Sequence, residues 1–142
     1  MKFTKKIVAV VAGVAMCAGL AACGGSRSGQ ATGGDAKIEK GSTIGISMPT
    51  KSEERWNKDG NNLKAKLEKA GYKVILSFAD DKPAQQNADI ENMVNNDAKI
   101  VVVASKDGTA VGPAVEKARD AGAKVIAYDR LIMNTDAVRS EE

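Results

Sequence analysis

Lys99-Ile-Val-Val-Val-Ala104 (KIVVVA) is an unbroken run of mostly β-branched residues, closed by the turn-forming stretch Ser105-Lys-Asp-Gly108. A strand with one wet face alternates apolar and polar residues. A continuous apolar run suits a strand buried on both faces, as in a parallel sheet packed between helices. Three further strands flank this one. Thr43 to Met48 (TIGISM) and Tyr72 to Ala79 (YKVILSFA) precede it, and Lys124 to Tyr128 (KVIAY) follows.

The intervals between strands read as helices. After the loop Pro49, Thr50, Lys51, Ser52, a helix begins with Thr50 or Ser52 as its N-cap and Glu53 and Glu54 near its positive end. It runs to about Ala70 and stops at Gly71. Its inner face is Trp56, Leu63, Leu67 and Ala70, with Gly60 allowing a close approach to the sheet. Asp80, Asp81 and Pro83 mark the start of a second helix with Ile90, Met93 and Val94 on its apolar side. A third carries Val111, Val115 and Ala118 and ends near Gly122. The order β-α-β-α-β-α-β implies right-handed crossovers and an α/β fold: a parallel sheet with helices on both faces. Ligands of such sheets bind beyond the C-terminal strand ends, where the strand order reverses. The segments after Met48, Ala79, Ala104 and Tyr128 are therefore the places to look.

Two groups of residues fall there. Arg55 and Trp56 follow the first strand, and Asp129 and Arg130 follow the fourth. An indole can lie flat on the C–H face of a pyranose, and a guanidinium fork can donate to two sugar oxygens. A carboxylate beside such a fork can satisfy adjacent hydroxyls of a polyol. The alternatives are structural: Trp56 in the core with Arg55 solvated, and Asp129-Arg130 as a surface ion pair or helix cap. Asp80-Asp81 is read as helix capping. The chain contains no His, which removes Ser/His/Asp, Cys/His and His-metal constellations. It has no Gly-x-Gly-x-x-Gly and no Walker A loop. The reading is of a binding protein and not an enzyme, with no cofactor and no metal.

The N-terminus reads as an export signal. Lys2, Lys5 and Lys6 precede an apolar run from Ile7 to Ala22, about 16 residues and short of the roughly 20 a membrane span needs. The run ends in Leu20-Ala21-Ala22-Cys23, which resembles the lipobox of bacterial lipoproteins. Cys23 is then the lipidation site, and residues 1–22, with Cys17, are discarded. An uncleaved apolar helix is the alternative. Residues 23–42 hold several glycines and no apolar periodicity, and they read as a flexible tether. The expected location is outside the cell membrane, held there by lipid at Cys23. Removing the three early lysines from 21 basic residues leaves 18, equal to the 18 acidic ones. That balance gives no footprint for nucleic acid.

Taken together, Glu54-Arg55-Trp56-Asn57-Lys58-Asp59, Asp89-Ile90-Glu91-Asn92-Met93-Val94 and Val125-Ile126-Ala127-Tyr128-Asp129-Arg130-Leu131-Ile132 resemble the type I periplasmic sugar-binding proteins. The similarity is to their xylose-binding and multiple-monosaccharide branch, over roughly Lys40 to Val138. The resemblance implies two α/β lobes closing on an aldose and delivering it to an ABC-transporter permease. It implies that Arg55, Asp129 and Arg130 hydrogen-bond the sugar, and that Trp56 stacks on it or lines the cleft. Asn92 also matches a family position, but mid-helix it reads as structural. The departure is length: residues 43–142 correspond to part of the N-terminal lobe, so a truncated receptor is expected. The competing reading is a non-binding, surface-displayed interaction lipoprotein or an inactive gene fragment.

Overall fold

The computed structural model describes residues 38–138. The signal segment, Cys23, most of the tether and the last four residues lie outside the described residues. Seven elements follow in order: β1 (Thr43–Met48), α1 (Glu54–Lys69), β2 (Lys73–Phe78), α2 (Pro83–Asn95), β3 (Ala98–Val103), α3 (Gly112–Asp120) and β4 (Lys124–Ala127). The four strands form one sheet in the order β2-β1-β3-β4, and every pairing is parallel. The chain steps from β1 to β2 on one side, then crosses back past β1 to β3. The reversal therefore lies between β1 and β3.

Each face of the sheet has its own apolar layer. Ile46, Met48, Trp56 and Ala104 pack with Leu63 and Leu67 of α1 and with Val74, Leu76 and Phe78 of β2. On the opposite face, Ile90 and Met93 of α2 and Val115 and Ala118 of α3 meet Val101, Val103 and Val125. Alternation along β3 explains the split: successive side chains point to opposite faces, so both layers need apolar residues from one strand. The strand run KIVVVA meets that requirement.

Two glycines set the layer spacing. A Cβ on Gly60 would lie 3.1 Å from Leu76 Cδ1 and 3.2 Å from Met48 Cγ, so α1 sits directly on the sheet there. A Cβ on Gly45 would lie 2.6 Å from Met93 Sδ, so Met93 fills the space that a side chain would need.

Several details depart from the sequence reading. The N-cap position of α1 is Glu53, not Thr50 or Ser52, and it makes no side-chain cap bond. Thr50 Oγ1 instead accepts the Ser52 N–H at 3.1 Å, which tightens the loop. Ala70 is exposed and serves as the C-cap of α1; it is not part of the inner face. Asp80 and Asp81 do not cap α2. Both have left-handed backbones, φ 49 and 62, and Lys82 occupies the N-cap position. Aspartate tolerates that conformation better than most residues, because its short polar side chain bonds locally.

Candidate functional site

The strand ends are in register, and one more ladder bond follows each of β2, β3 and β4. Ala79 N–H donates to Met48 O, Ala104 N–H to Ser47 O and Tyr128 N–H to Val103 O, all at 2.9 Å. The loops after all four strands therefore leave from one edge. The first turn of α1 lies over the same edge and brings Arg55 to Asp129, with which it forms an ion pair. Arg55 Nε also lies 3.6 Å from Asp59 Oδ2, one helical turn on. Tyr128 closes the group, its hydroxyl donating to Asp59 Oδ2 at 3.2 Å. Burial, followed by the Asp59 carboxylate, raises the Tyr128 phenol above its usual range. The hydrogen bond to Asp129 raises the already high pKa of Arg55.

Asp129 has φ 63, and this fold in the backbone lets Arg130 N–H donate to Tyr128 O at 2.7 Å. The tight turn directs Arg130 toward the end of β3, where Nη1 donates to Ser105 O at 3.2 Å. The following strap, Leu131 to Met133, lies against the start of the α3 segment. Met133 N–H donates to Gly108 O at 2.9 Å.

Trp56 is 1% exposed and belongs to the core. This is the structural alternative that the sequence leaves open, and it leaves no free indole face for a sugar. Its Nε1–H donates to Glu53 Oε2 at 3.0 Å. The guanidinium carbons of Arg55 and Arg130 lie 4.7 Å and 5.0 Å from its ring centroid. Asn92 is exposed on α2 and accepts from Asn96, a local helical contact.

The edge also holds residues that the sequence reading passed over. Gln86 of α2 is 1% exposed. Its Nε2 donates to Ser47 Oγ (3.1 Å) and Ala104 O (2.9 Å), and its Oε1 accepts the Lys106 N–H (2.8 Å). One amide thus ties α2 to the ends of β1 and β3 at the strand reversal. Its place four residues before Ile90 and seven before Met93, on the same helical face, was the available signal, hidden by its polarity. Asp81 pairs with Lys106 at 2.7 Å. That hydrogen bond, and a second from Thr50, hold its carboxyl below the usual carboxylate range.

The result is an array of fixed donors and acceptors: two guanidinium forks, the Asp129 and Asp59 carboxylates and the Tyr128 hydroxyl. Such an array matches a polyol, whose hydroxyls each donate and accept.

Residues 44–140 match the periplasmic binding protein domain family. The multiple sugar-binding periplasmic receptor ChvE of Rhizobium radiobacter is 49% identical over 96 residues, covering 68% of this chain and 27% of the receptor. The D-xylose-binding periplasmic protein of Haemophilus influenzae is 37% identical over 93 residues, 66% of this chain and 28% of that protein. An ABC transporter solute binding protein from Clostridium phytofermentans, solved with β-D-glucose bound, is 47% identical. It aligns over 68% of this chain and 30% of its own, with a TM-score of 0.66. The chain thus spans little more than a quarter of the length of the curated relatives it matches. Family match, relatives and parallel α/β architecture agree: the chain belongs to the periplasmic binding protein domain family.

Proposed function

We propose that Arg55, Asp129 and Arg130 form one wall of a monosaccharide site and that the chain is part of the substrate-binding component of an ABC sugar transporter. The observation that carries this is their convergence: two sequence segments 74 positions apart meet at the one sheet edge where this architecture places ligands. The sugar-binding names of the relatives support it, and aldoses of the xylose, glucose and arabinose class fit the array. A transporter permease is the partner this role requires. The role is binding and transfer, without chemical conversion of the sugar.

Titration of the isotope-labelled chain with D-glucose and D-xylose tests the site. Side-chain resonances of Arg55 and Arg130 should move and saturate at millimolar sugar. All contacts named here come from one side, so their donors stay hydrated and contribute far less than the ~8 kcal/mol that micromolar affinity needs. No movement of either arginine at high sugar would sink the reading.

We further propose export and anchoring through lipid on Cys23. Two or more acyl chains hold a protein stably at a membrane, at about 0.8 kcal/mol per buried CH₂, where one chain does not. Palmitate labelling of expressing cells should mark the wild-type chain and not Cys23→Ser; persistent labelling of that variant would contradict the anchor.

A further inference from the structure

We infer that Trp56 is a positioning residue, which sets the two arginines of the site through its indole ring and does not itself touch the sugar. The inference rests on the sugar-site reading above for its functional consequence, but its geometry is independent of it. An indole that is 1% exposed cannot lie against a pyranose. Yet the same ring has the guanidinium of Arg55 at 4.7 Å and that of Arg130 at 5.0 Å. These side chains come from different places, the first turn of α1 and the turn after β4, so the ring is a common reference for both segments. The negative face of an aromatic ring attracts a cation at such distances, most strongly for Trp.

The two arginines depend on it unequally. Arg55 also has Asp129 and Asp59 as charged partners. Among the described residues, the Arg130 side chain makes one hydrogen bond, Nη1 to the neutral Ser105 carbonyl at 3.2 Å, and feels the Asp81 carboxylate only through space, beside its approach to the ring. A single long bond does not fix a side chain with this much rotamer freedom. The ring supplies the second constraint. The ring is fixed in turn: its body lies among Ile46, Met48 and Ala104, and its Nε1–H is held by Glu53 at 3.0 Å. Glu53, Trp56 and the core beneath them therefore form the support on which the binding forks rest.

Side-chain resonances of labelled Arg130 test this without sugar. Protons held over an aromatic face are displaced upfield, so the Arg130 Hδ and Hε signals should lie upfield of those of exposed arginines. Trp56→Phe keeps a smaller ring and should shrink the displacement. Trp56→Leu should abolish it while the amide signals of the sheet stay dispersed. If Trp56→Leu does not fold, Trp56→Phe decides alone. Unchanged Arg130 signals in the folded variant overturn the inference. With D-xylose or D-glucose, Trp56→Phe should raise the apparent Kd about two- to fivefold, the size of one cation–π contact. An unchanged Kd overturns the functional consequence. A wild-type chain whose arginine signals ignore sugar, but still depend on the ring, counts against the sugar site and leaves the positioning role standing.

Discussion

Arg55 and Asp129 form an ion pair at the C-terminal edge of the sheet, with 57% and 29% of their side chains exposed. A pair this open is screened by water and salt and contributes little to folding. On the proposed sugar-site reading, its value lies in holding a donor fork and an acceptor side by side before any ligand arrives. Asp129→Asn tests that division. Asn keeps the tolerance for φ 63 that Ala lacks, so the backbone turn survives while the charge goes. The urea midpoint should stay close to wild type, and the sugar-dependent movement of Arg55 should weaken or vanish. A large fall in the midpoint would show that the pair is a structural brace instead.

Gly108 offers a second test, through the strap that follows Arg130. A Cβ at Gly108 would stand 2.3 Å from Leu131 O, a backbone atom that cannot rotate away. Gly108→Ala should therefore push the Leu131–Met133 strap off the α3 segment and break the 2.9 Å bond from Met133 N–H to Gly108 O. Because Arg130 is the next residue upstream, its contact with Ser105 O should loosen too. Hydrogen exchange at Met133 should speed up in the variant. Retained protection there would show that the segment yields without releasing the strap.

The parallel order of the sheet was legible because KIVVVA and the flanking apolar runs alternate with helical spacing, and Gly60 could be placed on the packed face of α1 from that spacing. Strand ends were harder to read. Ala79, Ala104 and Tyr128 each make one more ladder bond past the strand, and their sequence gives no reason to stop. Asp80-Asp81 before Pro83 carries the composition of a helix cap, and nothing local distinguishes a capping carboxylate from a left-handed turn. For Trp56, the identity and helix position were readable, but burial and the two guanidiniums around it depend on how α1 leans over the sheet. Arg55 and Asp129 could be assigned to one edge, while their direct pairing rests on tertiary geometry that no spacing encodes.

Gln86 is the residue at the edge whose loss should cost most in stability. It is buried and makes three hydrogen bonds that join α2, β1 and the loop after β3. Gln86→Leu has a similar volume but leaves Ala104 O and Lys106 N–H without their partner. Stranding a buried carbonyl such as Ala104 O costs about 1–3 kcal/mol, and the part-buried Lys106 N–H adds less. The urea midpoint should fall accordingly, and the amide of Lys106 should lose protection. A variant as stable as wild type would mean that water replaces the amide at no net cost.

The last expectation concerns acid. Asp107 Oδ1 accepts the N–H groups of Thr109 and Ala110, each at 2.9 Å. The Ala110 bond, with that of Thr109, holds its carboxyl below the usual range. Asp81 is lowered as well, chiefly by Lys106. A carboxyl whose pKa is depressed in the folded state binds its proton more readily when unfolded. Its stabilisation is therefore fully present above the unfolded value of about 4, and it is lost as pH falls through the lower folded value. The chain has no His, so no histidine titration adds a slope between about pH 6 and 8. Stability measured by urea should thus be flat near neutrality and fall below about pH 4. Asp107→Asn should be less stable than wild type near neutrality, because a neutral amide is the weaker acceptor. Its acid decline should be shallower, so the two curves converge at low pH. Parallel curves over that range would show that Asp107 does not contribute through its charge, and a decline centred near pH 6 to 7 would contradict both assignments.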